Sequence, residues 1–292
     1  MATAGQWLEG ARPRTMFLAV APVVAGTGVA AAGDGADPVR GLLALVVALA
    51  LQVGVNYAND YSDGVRGADA DRVGPPRLVG SGLARPESVQ AAAWGCLLVA
   101  AAAGLALAAL TTWWLLVPGG AAILAAWLYT GGAHPYGYHA LGEVAVFVFF
   151  GLVAVGGTAY VQSRHLDALT VVAAVPLGLL AVAVLVVNNL RDIPGDARAG
   201  KRTLAVVLGD ARTRDLFVAC TTLPFLAPLA ITAAYGHVAA LLALLALPLA
   251  GVALLPVRRG ATGADLIPVL RLSGQLALTF ALLLALGLAL GH

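Results

Sequence analysis

The sequence predicts an all-α polytopic membrane protein, nine transmembrane helices in one bundle, and three observations carry that expectation. Of the 292 residues, 60% are hydrophobic and 11% charged, where a soluble domain would be about a quarter charged. The apolar residues come in unbroken runs, and a run of about 20 crosses the ~30 Å hydrocarbon layer as a helix. No stretch alternates with period two, which argues against a β-barrel.

The spans follow in order. Span 1, residues 15–32, comes after Arg12 and Arg14 and reads as a retained first helix rather than a cleaved leader. Span 2 covers 41–60 and runs into an acidic segment; span 3 covers 90–110 and span 4 covers 113–130, parted by Thr111–Thr112. Spans 1 and 4 are short or interrupted by Gly and Pro, but polar flanks close each of them. Span 5 (142–161) opens beside Glu143, and span 6 (168–189) ends on Asn188–Asn189. Spans 7 (215–234) and 8 (238–256) are joined by the short turn Tyr235–His237, and span 9 covers 269–290. With no linker long enough to separate domains, residues 1–292 are expected to form a single transmembrane domain.

Cation placement sets the orientation. With the N-terminus in the cytoplasm, fifteen of the seventeen Lys and Arg residues fall on the inner side, leaving Arg40 and Arg164 outside. That asymmetry is the positive-inside signature, and a miscount of one span would scramble it. The long charged loops, 61–88 and 190–214, and the Gly- and aromatic-rich loop 131–141 all lie inside, so chemistry is sought there. The partner is the lipid bilayer, and no nucleic acid is expected. Trp113 and Trp114 on an outer turn, with Trp7 before span 1, suit interfacial anchoring. Cys96 and Cys220 sit inside apolar runs without metal-ligand spacing and read as buried small residues.

Two Asn/Asp clusters break the apolar pattern. Span 2 ends in Asn56-Tyr57-Ala58-Asn59-Asp60-Tyr61-Ser62-Asp63, followed by Asp69, and span 6 ends in Asn188-Asn189-Leu190-Arg191-Asp192-Ile193-Pro194-Gly195-Asp196. If the helices continue, Asn56, Asn59/Asp60 and Asp63 share one face, as do Asn188, Asp192 and Asp196 until Pro194–Gly195 loosens the second helix. The clusters lie four spans apart at matching helix ends, a pseudo-repeat of spans 1–4 in spans 5–8 with span 9 added. Asp and Asn are ordinary capping residues. Capping explains neither the repeated spacing nor amides one turn inside the boundary, where polar groups are costly unless they face a cavity.

Carboxylate and amide oxygens are hard ligands suited to Mg2+, which retains waters and is completed by substrate phosphates. Metal between the acids would turn mutual repulsion into a clamp for a diphosphate, and Arg72, Arg77, Lys201 and Arg202 can neutralise phosphate oxygens. The apolar bundle suits a prenyl tail. Loss of diphosphate from an allylic substrate leaves a cation that Tyr57, Tyr61 or Tyr129 can face.

These residues resemble the UbiA superfamily of intramembrane aromatic prenyltransferases, whose first motif, N-x3-D with a further Asp, is matched by Asn59, Asp63 and Asp69. Its second motif, D-x3-D, is matched by Asp192 and Asp196. Many relatives place the third acid four residues after the second; here Gly67 stands there and the acid is Asp69, as in the naphthoate branch. Arg12-Pro13-Arg14-Thr15, Pro76-Arg77-Leu78-Val79, Tyr129-Thr130-Gly131-Gly132, Leu141-Gly142-Glu143 and Ala199-Gly200-Lys201-Arg202-Thr203-Leu204 are similar to that branch too.

The resemblance implies a nine-helix bundle and Mg2+-dependent transfer of a polyprenyl group from its diphosphate to 1,4-dihydroxy-2-naphthoate. The prenyl group replaces the ring carboxylate, CO2 leaves, and a demethylmenaquinone forms. It implies that Asn59, Asp63, Asp192 and Asp196 hold a pair of Mg2+ ions, with Asp60 and Asp69 assisting. Asn56, Tyr61, Arg72, Arg77, Tyr129, Asn188, Lys201 and Arg202 would bind substrate. Some relatives carry a lysine after Tyr-Thr-Gly-Gly, where this chain offers His134 and His139, and these read as a solvated loop. Glu143 is open between a helix-terminal carboxylate and an acceptor contact.

Three other readings fit less well. A second aromatic acceptor within the superfamily would preserve the clusters. Asp60-x-x-Asp63-Gly64 opens like a CDP-alcohol phosphotransferase motif, but the rest of that motif is absent. A transporter would place its acids near mid-membrane on broken helices.

Overall fold

The computed structural model describes residues 2–33, 35–67 and 77–291. Asp69 and Arg72 lie outside the described residues. The chain is an all-helical membrane protein: seven described helices are long and apolar enough to cross a bilayer, and eight if a bent pair at the N-terminus counts as one.

That pair begins with α1 (Ala4–Ala11), an element the hydropathy reading did not anticipate. Thr3 and Gln6 form a capping box at its start, satisfying two otherwise orphaned N–H groups. Arg12 then takes a left-handed conformation (φ 56°), and the path turns by 47° into α2 (Phe17–Ala32). Trp7 does not stand apart as an anchor. Its ring packs edge-on against Tyr57 at 5.6 Å, and its carbonyl accepts the Tyr57 hydroxyl at 2.8 Å, tying α1 to the next helix.

α3 (Pro38–Val65) is N-capped by Asp37 and runs five residues past the expected span, so Asn56–Asp63 of the first cluster is helical. α4 (Pro86–Leu110) returns against it. The fourth expected span is a short turn, Trp113–Leu115, followed by α5 (Leu116–Leu128), which together fall short of the length that marks the seven crossing helices. Trp113 and Trp114 are exposed, as expected of interfacial rings. The fifth span is α6 (Gly142–Val146), a π-helical segment Phe147–Val153, and α7 (Ala154–Ser163). At Gly151 in the π segment a Cβ would meet Gly178 Cα at 2.7 Å, so glycine on both partners lets the backbones touch.

α8 (Ala168–Arg198) carries the second cluster. Pro194–Gly195 does not loosen it: helix continues to Arg198, because a proline removes only the bond to the carbonyl four residues back while the turn beyond is closed by Ala199 N–H to Gly195 O at 2.9 Å. With 31 residues it reaches about 46 Å. The expected 190–214 loop is therefore mostly helical. α9 (Leu204–Thr222) starts well before the expected seventh span, breaks at Gly209 (φ 77°), and continues through Pro224 into α10 (Leu226–Tyr235). A 3-10 stretch, Val238–Ala246, leads into α11 (Leu247–Arg258), and α12 (Ile267–Ala289) closes the bundle.

α8 is the central post: 72% of its membrane-length window is buried, against 17% for α3. Helix ends expected on the same face are tied to each other. Arg66 donates to the Thr130 carbonyl and Arg214 to the Val257 carbonyl, while at the opposite ends Arg40 reaches Val161 and Arg164 reaches Leu110.

Candidate active site

The extended ends of α3 and α8 open onto one cavity of about 1130 Å³. Asn56, Asn59 and Asp63 line it from α3, and Asn188, Asp192 and Asp196 line it from α8. The helical periodicity that predicted two polar faces is thus realised, and the faces look into the same space. Away from them the walls are apolar, with Val23, Leu107, Phe149, Phe150 and Val161 among them.

The C-terminus of α8 delivers a third element. Gly200 (φ 72°) reverses the chain, with Lys201 N–H bonded to Asp196 O at 2.9 Å and Gly200 N–H to Ala197 O at 3.3 Å. This is the Schellman pattern, in which glycine accepts the left-handed conformation at least cost. The turn aims Lys201 back at α3, where its Nζ lies 2.9 Å from Asp63 Oδ2. Asp63 Oδ1 accepts the Tyr138 hydroxyl at 2.7 Å, and Lys201 Nζ sits 4.8 Å from the Tyr138 ring centroid. Burial and the neighbouring Asp63 carboxylate push the Tyr138 pKa up, so it is held as a donor; burial pushes Tyr136 up to about 12. On α8, Arg191 grips Asp192 through Nε at 2.7 Å and Nη2 at 2.6 Å, and Nη2 also reaches Asn188 Oδ1 at 2.9 Å. Thr130 donates to Asn59 Oδ1 at 2.7 Å, and Arg66 clamps the carbonyls of Thr130 and Gly132. Arg77 and Tyr129 also line the cavity.

Other expected residues stand elsewhere. Asp60 is fully buried but off the cavity wall; its carboxylate accepts the backbone N–H groups of Leu78 and Val79, both at 2.9 Å. One residue beyond Asn59 is a 100° rotation on a helix, enough to turn Asp60 toward the 78–80 turn. Replacing Asp60 by Asn should lower stability by about 1–3 kcal/mol, the cost of an unsatisfied buried donor, without moving the Mg2+ dependence of the rate. A shifted Mg2+ midpoint with an unchanged melting temperature would restore the assisting role at the metal expected of Asp60. Tyr61 stacks on Trp127 at 6.3 Å, away from the cavity, with Trp127 stacked on Trp94 at 4.4 Å. Arg202 is exposed and off the cavity wall, engaged through its backbone N–H to Tyr138 O at 3.1 Å. His134 and His139 are exposed in their loop. Glu143 is buried and accepts Asn189 Nδ2 at 3.0 Å, bridging α6 to α8.

The sequence reading passed over Tyr138, Thr130 and Arg191. Tyr138 and Thr130 lie in or beside the Gly- and aromatic-rich loop, and Arg191 sits inside the second motif, counted there only as a topology cation.

The donor set fits magnesium. Asn59, Asp63, Asn188, Asp192 and Asp196 present only oxygen and amide chemistry to one cavity. Among the described residues no three acids, cysteines or histidines converge closely enough to hold a metal by themselves.

Residues 19–265 match the model of the UbiA prenyltransferase family. Over 100% of this chain and 99% of its own length, the 1,4-dihydroxy-2-naphthoate octaprenyltransferase of Mycobacterium tuberculosis is 54% identical to it. A UbiA homologue from Aeropyrum pernix, solved without ligand, superposes with a TM-score of 0.69 at 16% identity, covering 91% of this chain and 94% of that one. A homologue from Archaeoglobus fulgidus, solved with dimethylallyl diphosphate (DMAPP) and Mg2+, gives 0.61 at 13% identity, covering 96% and 99%. With a matched family model over most of its length and a full-length relative at this identity, the chain belongs to the UbiA prenyltransferase family.

Proposed function

We propose that this chain transfers a polyprenyl group from an allylic polyprenyl diphosphate to 1,4-dihydroxy-2-naphthoate. CO2 and diphosphate leave, and the product is the quinol form of a demethylmenaquinone, an intermediate of menaquinone biosynthesis. One observation carries the reading: a single cavity whose acid-lined end continues between apolar walls, as an anionic head with a greasy tail requires. The full-length similarity to a protein named for this reaction supports the choice of acceptor.

In this reading Asn59, Asp63, Asp192 and Asp196 hold Mg2+, with Asp69 nearby in sequence, and the metal supplies Lewis-acid stabilisation of the departing diphosphate. Lys201 and Arg191 turn toward phosphate oxygens as the head enters, exchanging carboxylate partners for phosphate ones, and Arg77 adds its charge from the cavity wall. Tyr138 and Asn188 keep Asp63 and Asp192 oriented. The C1–O bond of the allylic chain breaks with its electron pair on the diphosphate, while Tyr129 offers a ring face to the positive carbon. The ring carbon bearing the carboxylate bonds to C1, and loss of CO2 restores aromaticity.

The finer architecture belongs to the same proposal. The short helix Trp113–Leu128 serves as a ninth crossing, residues 1–292 act as one unit, and the overlong α3 and α8 are the echo of an internal repeat. The N-terminus and both clusters face the cytoplasm of a bacterial cell.

The test is an acceptor panel: purified protein, Mg2+, a polyprenyl diphosphate, and dihydroxynaphthoate, hydroxybenzoate and homogentisate in parallel. The expected product has the mass of the prenylated naphthoquinol without its carboxylate. Prenylated hydroxybenzoate alone would overturn the acceptor assignment.

A further inference from the structure

Deeper along α3 the cavity wall carries a second polar group that the diphosphate chemistry does not use. Gln52 is 5% exposed, lines the cavity, and lies seven residues before Asn59, about 10 Å along the helix. Its hydrogen bonds fix which way the amide points. Thr15 donates its only hydroxyl proton to Arg12 O at 2.9 Å, so its oxygen can only accept. It accepts twice, from Gln52 Nε2 and from Asn56 Nδ2, both at 3.1 Å. Asn56 is fixed in turn by donation to Ala11 O at 2.9 Å. Thr15 is saturated, both amides are locked, and Gln52 Oε1 is left buried with no hydrogen-bond partner among the described residues.

A buried carbonyl oxygen held in one orientation costs stability unless something donates to it. Its complement is a hydroxyl or other N–H or O–H donor on a ligand in this cavity. The prenyl diphosphate provides none: its tail is hydrocarbon and its head is an acceptor that the clusters take. The aromatic acceptor provides two ring hydroxyls. Resting on the acceptor class proposed above, we infer that Gln52 is a specificity-determining residue that accepts a hydrogen bond from a ring hydroxyl of the dihydroxynaphthoate. It thereby places the ring deeper in the cavity than the diphosphate. Thr15 and Asn56 are positioning residues that hold the amide for it. A site built to pair one hydroxyl rejects the analogue that lacks it.

The experiment measures inhibition constants of the two monohydroxy analogues, 1-hydroxy-2-naphthoate and 4-hydroxy-2-naphthoate, with the dihydroxy acid as substrate. The enzymes compared are wild type, Gln52→Met and Gln52→Leu. Inhibition constants do not depend on the folded fraction of a preparation, so partly unfolded variants still report. In the wild type one analogue should bind about tenfold more weakly than the dihydroxy acid, the loss of one hydrogen bond to a fixed partner. In both variants that gap should close to within about twofold, with KM for the prenyl diphosphate unchanged. Gaps that persist in the variants, or a wild type indifferent to both hydroxyls, would overturn the assignment. A wild type inactive toward the dihydroxy acid would instead overturn the acceptor reading on which it rests.

Discussion

Replacing Asp63 by Asn should lower kcat/KM by about 10³-fold, the scale seen when one fixed electrostatic stabiliser is removed from an active site, while leaving a folded protein. Asp63 is the residue on which most of the site converges. Lys201 reaches it from the end of α8, Tyr138 from the aromatic loop, and it lines the cavity beside Asn59. The amide keeps the shape and an oxygen for Tyr138 but removes the negative charge, so the loss would be one of charge rather than packing. Product formation followed by mass, with the melting temperature in detergent alongside, separates the two. Wild-type rates in Asp63→Asn, or in the matching Asp192→Asn, would remove these acids from the metal set.

Chelation should be just as severe for turnover and nearly silent for stability. With EDTA, product formation is expected to stop and to return on adding Mg2+, while helical content and melting temperature stay where they were. The second half follows from the ion pairs. Asp63 rests against Lys201 at 2.9 Å, and Asp192 against Arg191 at 2.6 Å, so the acids on both helices carry internal counter-charges. A small zinc domain uses its metal to fold at all; this bundle folds on apolar packing around α8. Turnover that persists in EDTA would end the magnesium assignment, and unfolding in EDTA would show that the pairs do not do this work.

Much of the fold was legible because membrane helices announce themselves by length and hydropathy. Interruptions inside them were not. The π segment Phe147–Val153 goes with the close approach of Gly151 to Gly178, and the bend at Arg12 and the break at Gly209 are single left-handed residues, none of which a window average contains. In the site, helical spacing put Asn56, Asn59 and Asp63 on one face, and they share it. The same spacing could not distinguish Asn59 from Asp60, one residue apart, because their roles depend on whether the 78–80 turn or the cavity lies opposite. Tyr138 was invisible for a related reason: its link to Asp63 joins residues 75 apart in sequence. Gln52 did leave a signal, a lone amide extending the stripe of 56, 59 and 63 into an apolar span, and only its orphaned oxygen shows what that amide is for.

α3 and α8 differ in what surrounds them, and this bears on how the enzyme meets its substrate. Asp192 and Asp196 ride on a post enclosed by protein, whereas Asn59 and Asp63 ride on a helix packed against α4 on one side and bordering the cavity through Val47, Leu51 and Val55 on another. One jaw is braced on all sides, and the other borders the apolar space itself. A tail that fills the apolar end would then complete the packing of the helix that carries half of the acidic end, so the two ends of one substrate would steady each other's walls.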